Sequence, residues 1–185
     1  MRAYHIDTNG LINETIKTID FQKIPRSWHN YENLVKRYPE GLSSWGLNIL
    51  GIQYQYPQKT MNLTFWEGEE PHWNSYFIDI LYEYERLASF SNKNSRFQSI
   101  FALKNIEDAL SWKDVFDPNC SIYEIEFDEK QLSIHDSTFL HCKMNQFNLL
   151  DVQKNAHDYW SGKEKCDDSR PELVIKLPVK IMGSL

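Results

Sequence analysis

Cysteine is scarce: the 185 residues hold three, Cys120, Cys142 and Cys166. An odd count at irregular spacing argues against a disulfide framework and fits a reducing compartment. No Cys-x-x-Cys pair is present, which argues against a zinc ribbon. His141-Cys142, with His135 upstream, is too thin a ligand set to bind a metal, and none is expected. No run of about 18 apolar residues occurs, so neither a membrane span nor a membrane partner is expected. The opening Met1-Arg2-Ala3-Tyr4-His5 lacks the apolar core of a secretory signal, so the expected location is the cytoplasm, the protein's own or that of a target cell. Positive charge is also in deficit, with a formal net charge of -6. That balance excludes a bulk electrostatic grip on nucleic acid and leaves room for a local basic patch. Such a patch belongs in the first half, which carries Arg2, Lys17, Lys23, Arg26, Lys36, Arg37 and Lys59. The acidic excess lies between Glu107 and Asp136. There is no internal repeat and no linker.

What is present is a globular composition, 41% hydrophobic and 14% aromatic, long enough for one domain over 1–185. Tyr4-His5-Ile6 reads as a first strand ending at the turn-rich Asp7-Thr8-Asn9-Gly10. Ser27 caps a short helix over Asn30 to Tyr38. Ile49 to Trp66 alternates as a hairpin around Pro57-Gln58-Lys59. Asn74 or Ser75 starts a helix whose apolar stripe is Phe77, Ile80, Leu81, Tyr84, Leu87 and Ala88, with Glu83, Glu85 and Arg86 off it. Asn105 opens another helix, ended by Asp117-Pro118-Asn119. Tyr123, Ile125 and Phe127 alternate with glutamates as a half-exposed strand. Leu149, Val152, Ala156, Tyr159 and Trp160 form a further helical stripe, stopped by Gly162. Glu172 to Leu177 reads as a strong strand, which Val179 and Ile181 carry past a bulge or edge at Pro178. Strands and helices in this order predict an α+β domain.

The densest chemistry lies in Ser95-Arg96-Phe97-Gln98-Ser99-Ile100-Phe101-Ala102. Its alternation predicts a short strand that shows Ser99 and Phe101 on one face. Arg96 near its entry offers a planar fork of donors for a phosphate. His5 on the first strand, Ser99 with Phe101 on a middle one and Glu172 heading a late one resemble, in that order, the ADP-ribosyltransferase fold. Further runs are similar to a bacterial family assigned to that fold. They are Tyr4-His5-Ile6-Asp7, Glu85-Arg86, Ala156 with Tyr159-Trp160 and Gly162, and Pro171-Glu172-Leu173. Residues 42–71 match nothing in it and read as an insertion.

The resemblance implies a split mixed β-sheet core with flanking helices, and transfer of ADP-ribose from NAD as substrate. Glu172 would stabilise the cationic ribose and hold its 2′-hydroxyl. His5 would bond the ribose or phosphate region, and Ser99 would support the carboxylate's geometry. Phe101 would pack on nicotinamide where many relatives have tyrosine. Arg96 would pair with the pyrophosphate, and Tyr4 and Tyr159 would wall the pocket. Many arginine-modifying relatives place a second carboxylate two residues before the glutamate. Arg170 stands there, so the expected acceptor is a nucleic acid or a protein side chain other than arginine. The implied setting is a toxin, effector or phage-defence component with an antitoxin or inhibitor protein as partner. Two alternatives on the same fold are RNA 2′-phosphate transfer and a binding module without catalysis.

Overall fold

Alternating side chains build seven strands, paired in two sheets, among the residues that this computed structural model describes: 1–7, 14–21, 31–50, 73–116, 119–140, 148–165 and 169–185. The first sheet has the order β1-β4-β7-β2, from β1 (Arg2–Asp7), β4 (Ser121–Glu126), β7 (Val179–Ser184) and β2 (Thr15–Ile16). The second has the order β3-β6-β5, from β3 (Ser99–Ala102), β6 (Pro171–Lys176) and β5 (Leu132–Asp136). Every strand pairing among the described residues is antiparallel. The α+β expectation therefore stands and the mixed sheet does not; period-two alternation marks a strand without marking its direction. Ala3, Ile100, Ala102, Ile125, Leu173, Ile175 and Val179 fill one core shared by the two sheets.

The strong final pattern is two strands rather than one. Glu172 to Lys176 belongs to the second sheet, and Val179 begins the strand that pairs in the first. Pro178, with no N–H to give a ladder, stands at the break. The sheets touch again where Tyr4 and Leu103 exchange N–H···O bonds of 2.9 and 2.8 Å. Over the whole of β1 and of β3, β1 pairs with β4 and β3 with β6, so outside that bridge β1 and β3 share no ladder. A cleft thus opens where β1 and β3 part.

Two helices cover the second sheet. In α5 (Leu149–Ser161) Val152, Ala156, Tyr159 and Trp160 are buried as the stripe predicts, Leu149 at the helix's first position is 57% exposed against it, and Gly162 ends the helix at φ +78°. In α3 (Trp73–Ser89) the stripe is rotated from its expected phase. Ile78, Asp79, Tyr82, Glu83 and Arg86 are buried, while Tyr84 is 66% exposed. The buried charges are paired, as shown below, and pairing is what makes such a face affordable. Helix α4 (Ile106–Phe116) packs Ala109 near Leu103 and Ile122, with Trp112, Tyr4 and Ile6 against the same cluster. No helix among the described residues is long and apolar enough to cross a membrane.

Helices α1 (Tyr31–Arg37) and α2 (Ser44–Ile49) make a separate cluster in which Leu34, Tyr38, Leu42, Leu47 and Ile49 surround Phe97. Of the segment 42–71 read as an insertion, residues 42–50 pack into this core. Residues 51–71 lie outside the described residues, as do most of the hairpin expected there, the Ser27 cap, Thr8 to Gly10, Asp117-Pro118, His141-Cys142 and Cys166. A Cβ on Gly46 would meet the Phe97 carbonyl oxygen at 2.3 Å. Backbone cannot swing aside as a side chain can, so Gly46→Ala is expected to cost about 3 kcal/mol, the upper end for overpacking. A urea midpoint unchanged by Gly46→Ala would contradict this packing.

Candidate active site

Ser95 caps a single 3-10 turn over Arg96–Gln98, its Oγ accepting from the Phe97 N–H at 3.1 Å. The strand starts only at Ser99, which corrects the extended reading of Arg96 to Gln98. A serine hydroxyl that satisfies a backbone donor favours a cap over a strand. Ser99 Oγ donates to the Ser95 carbonyl at 2.7 Å and is fully buried. Ser99 thus braces the turn and does not line the cavity.

The turn sends Arg96 inward, to 5% exposure. Its Nε donates to Asp79 Oδ1 at 2.7 Å. Its Nη1 donates to Glu172 Oε1 at 2.5 Å and to the Tyr159 hydroxyl at 2.7 Å. Tyr159 in turn donates to the same Oε1 at 2.6 Å. Burial opposes the charge on Arg96, but Glu172, Tyr159 and Asp79 outweigh it and hold its pKa well above the usual value. Burial, with Glu172 beside it, raises the Tyr159 phenol well above its own, so Tyr159 stays a donor.

This geometry revises two expected roles. Arg96 is not a free fork for a pyrophosphate, because two carboxylates already share its charge; among the described residues only its Nη2 is without a partner. Tyr159 is not a pocket wall. It lies fully buried behind Glu172, stacked on His135 at 4.4 Å and edge-on to Tyr82 and Trp160. It holds one carboxylate oxygen, leaving Oε2 with no partner among the described residues. Oε2 is not sealed from solvent, since the one buried side-chain polar atom without a partner among the described residues is His135 Nε2.

A cavity of about 440 Å³ occupies the parting of the sheets. Tyr4, His5 and Ile6 of β1 form one wall, and Phe101 and Ala102 of β3, with Leu103, form another. Trp45, Ile78, Trp112 and Leu140 add apolar surface; Asp79, Arg96, Ser137 and Glu172 are the other polar residues. His5 Nδ1 lies 2.8 Å from the Phe101 carbonyl oxygen. A carbonyl only accepts, so Nδ1 carries the proton and Nε2 is the ring's acceptor. Burial lowers the His5 pKa and keeps the ring neutral at pH 7. The Arg96 guanidinium carbon lies 4.2 Å from the Phe101 ring centre, and Trp45 meets that ring edge-on at 6.3 Å.

Of the seven residues singled out in the sequence, five line the cavity: Tyr4, His5, Arg96, Phe101 and Glu172. Ser99 and Tyr159 support it from behind. Arg170 is exposed, with its backbone N–H on Asp136 Oδ1 at 3.1 Å and its carbonyl on Ser137. His135, weighed as a metal ligand, instead gives its Nδ1 proton to the Tyr159 carbonyl at 2.8 Å, and burial lowers its pKa to about 4. Asp79 was missed. Its signal is the run Asp79, Glu83, Arg86, spaced four and three apart, which is a helix face in its own right. Glu83 accepts from Arg86 Nη2 at 2.8 Å, Ser95 Oγ at 2.9 Å and the Tyr38 hydroxyl at 3.1 Å. One face of α3 therefore fixes both Ser95 and Arg96.

A family model described as "Protein of unknown function (DUF2441)" matches residues 3–185. None of the curated proteins matches the chain.

Proposed function

The chain belongs to that family, and we propose that it is an NAD-dependent mono-ADP-ribosyltransferase. The observation that carries the reading is Glu172. It is a buried carboxylate held at one oxygen, with the other unpartnered among the described residues, in an aromatic-walled cavity between parting strands. Breaking the bond between nicotinamide and ribose develops positive charge on the ribose, and a preorganised carboxylate stabilises it. Glu172 is preorganised because Arg96 and Tyr159 fix Oε1 before any ligand arrives. His5 Nε2 suits a ribose hydroxyl as a hydrogen-bond acceptor, and Phe101 offers a ring for nicotinamide.

The cavity fits part of the dinucleotide. A volume near 440 Å³ accommodates the nicotinamide riboside end, within the usual range of ligand sites of about 300–1,000 Å³. Among the described lining residues Arg96 is the only cation, and Asp79 and Glu172 together exceed its charge. That balance suits the nicotinamide cation and leaves the diphosphate outside the floor. It also speaks against RNA 2′-phosphate transfer, which needs cations for two phosphates. The cytoplasm, a role as toxin, effector or defence component, and an inhibitor protein as partner all belong to this proposal. The test is transfer of labelled ADP-ribose from NAD to a cell lysate, followed by nuclease or protease digestion. Label on nucleic acid or on non-arginine side chains is expected; label chiefly on arginine would overturn the acceptor reading, and no label on any macromolecule would overturn the transferase.

His5→Ala tests the ribose contact. Saturating NAD stabilises a binder by about 2.7 kcal/mol at a hundred times its dissociation constant. The wild-type melting temperature is expected to rise with NAD and that of His5→Ala to rise by less than half as much. An undiminished rise would make His5 a structural residue only.

A further inference from the structure

Transfer to an acceptor leaves a proton to be placed. The bond between ribose C1′ and nicotinamide N1 breaks, and its electron pair leaves with neutral nicotinamide. An acceptor oxygen or nitrogen then bonds C1′ and must lose its hydrogen. Glu172 is committed to the ribose, and Arg170, at the position where a second carboxylate could stand, is an exposed cation. From the cavity geometry we infer that Asp79 is the general base that takes this proton, and that the acceptor is a neutral nucleophile bearing hydrogen, a hydroxyl or an uncharged nitrogen. This inference rests on the proposed transferase reading.

Asp79 is the second carboxylate on the described lining and comes from a different element, α3, than Glu172 on β6. It is 4% exposed and fixed by Arg96 Nε at 2.7 Å on Oδ1 and Trp45 Nε1 at 3.2 Å on Oδ2. Each oxygen keeps a second lone pair. Arg96 thus spaces two carboxylates around one cavity, and their surroundings differ. Burial raises the Asp79 pKa, against the pull of Arg96, and a raised pKa makes a carboxylate a better proton acceptor. A cationic acceptor such as a guanidinium would set a second positive charge beside the forming ribose cation.

The experiment follows nicotinamide release from NAD with water as acceptor, with and without sodium azide. Azide is an anionic nucleophile with no proton to lose. Asp79→Asn is expected to slow release into water about a hundredfold, a common size for a lost general base. Azide is expected to restore it to within tenfold of wild type, with ADP-ribosyl azide found by mass spectrometry. Asp79→Ala, which leaves space for azide, serves if the asparagine variant melts early. Glu172→Gln should show no rescue, because it lacks the group that stabilises the ribose. Release from Asp79→Asn at the wild-type rate would overturn the assignment. Loss without azide rescue in both variants would also overturn it, reducing Asp79 to a partner of Arg96. A wild type that never releases nicotinamide would instead refute the transferase reading itself.

Discussion

Glu172→Gln is expected to release nicotinamide at least about a hundredfold more slowly than wild type, the scale of losing a preorganised electrostatic contact. The substitution removes charge and keeps shape. The amide oxygen can still accept from Arg96 Nη1 and from Tyr159, which now hold Oε1 at 2.5 and 2.6 Å. Folding should therefore survive, and the melting curve separates lost chemistry from lost structure. A well-folded variant with wild-type turnover would remove Glu172 from the mechanism.

Arg96→Met has the largest expected effect on stability. Arg96 is the shared partner of two carboxylates, Asp79 and Glu172, each less than a tenth exposed. Removing one member of a buried ionic set leaves uncompensated charge and costs about 3–5 kcal/mol. The loss should depend on pH. Burial already raises the Asp79 pKa in the folded chain, and Arg96 opposes that rise. Without Arg96 the folded value climbs further above the unfolded one, about 3.9. A group whose folded pKa is raised contributes stability below its unfolded pKa and loses it as pH rises through the folded pKa. The deficit against wild type should thus be large at pH 7 and should shrink toward pH 4. Urea unfolding at the two pH values measures it. A deficit of equal size at both would mean that lost packing, not charge, is the cause.

The contrast between helices α3 and α5 shows how far patterning reaches. In α5 the buried face is mostly apolar, with Asp158 its one charge, so Val152, Ala156, Tyr159 and Trp160 announce it, and Gly162 marks its end. In α3 the buried face carries Asp79, Glu83 and Arg86. A search for apolar stripes assigns charges to solvent and so turns the helix by part of a revolution. Only the partners reveal that these charges belong inside, and Arg96, Ser95 and Tyr38 come from elsewhere in the chain. The cavity was more legible. Tyr4 and His5 on β1, Phe101 on β3 and Glu172 on β6 meet because short strands bring distant residues to one edge. What their order could not convey is that Tyr159 would hold Glu172 from behind, or that Arg96 would be shared. The first joins α5 to β6; the second depends on the 3-10 turn over Arg96–Gln98, which reads in sequence as the start of the alternation.

The most direct test of the central claim is a structure of the chain with a non-cleavable carbocyclic NAD analogue. The account predicts the nicotinamide end in the cavity between β1 and β3. Its ring should lie against Phe101, with a hydroxyl of its sugar-like ring within hydrogen-bond reach of Glu172 Oε2 and another within reach of His5 Nε2. An analogue bound elsewhere, or a saturated solution that leaves this cavity empty, would contradict it.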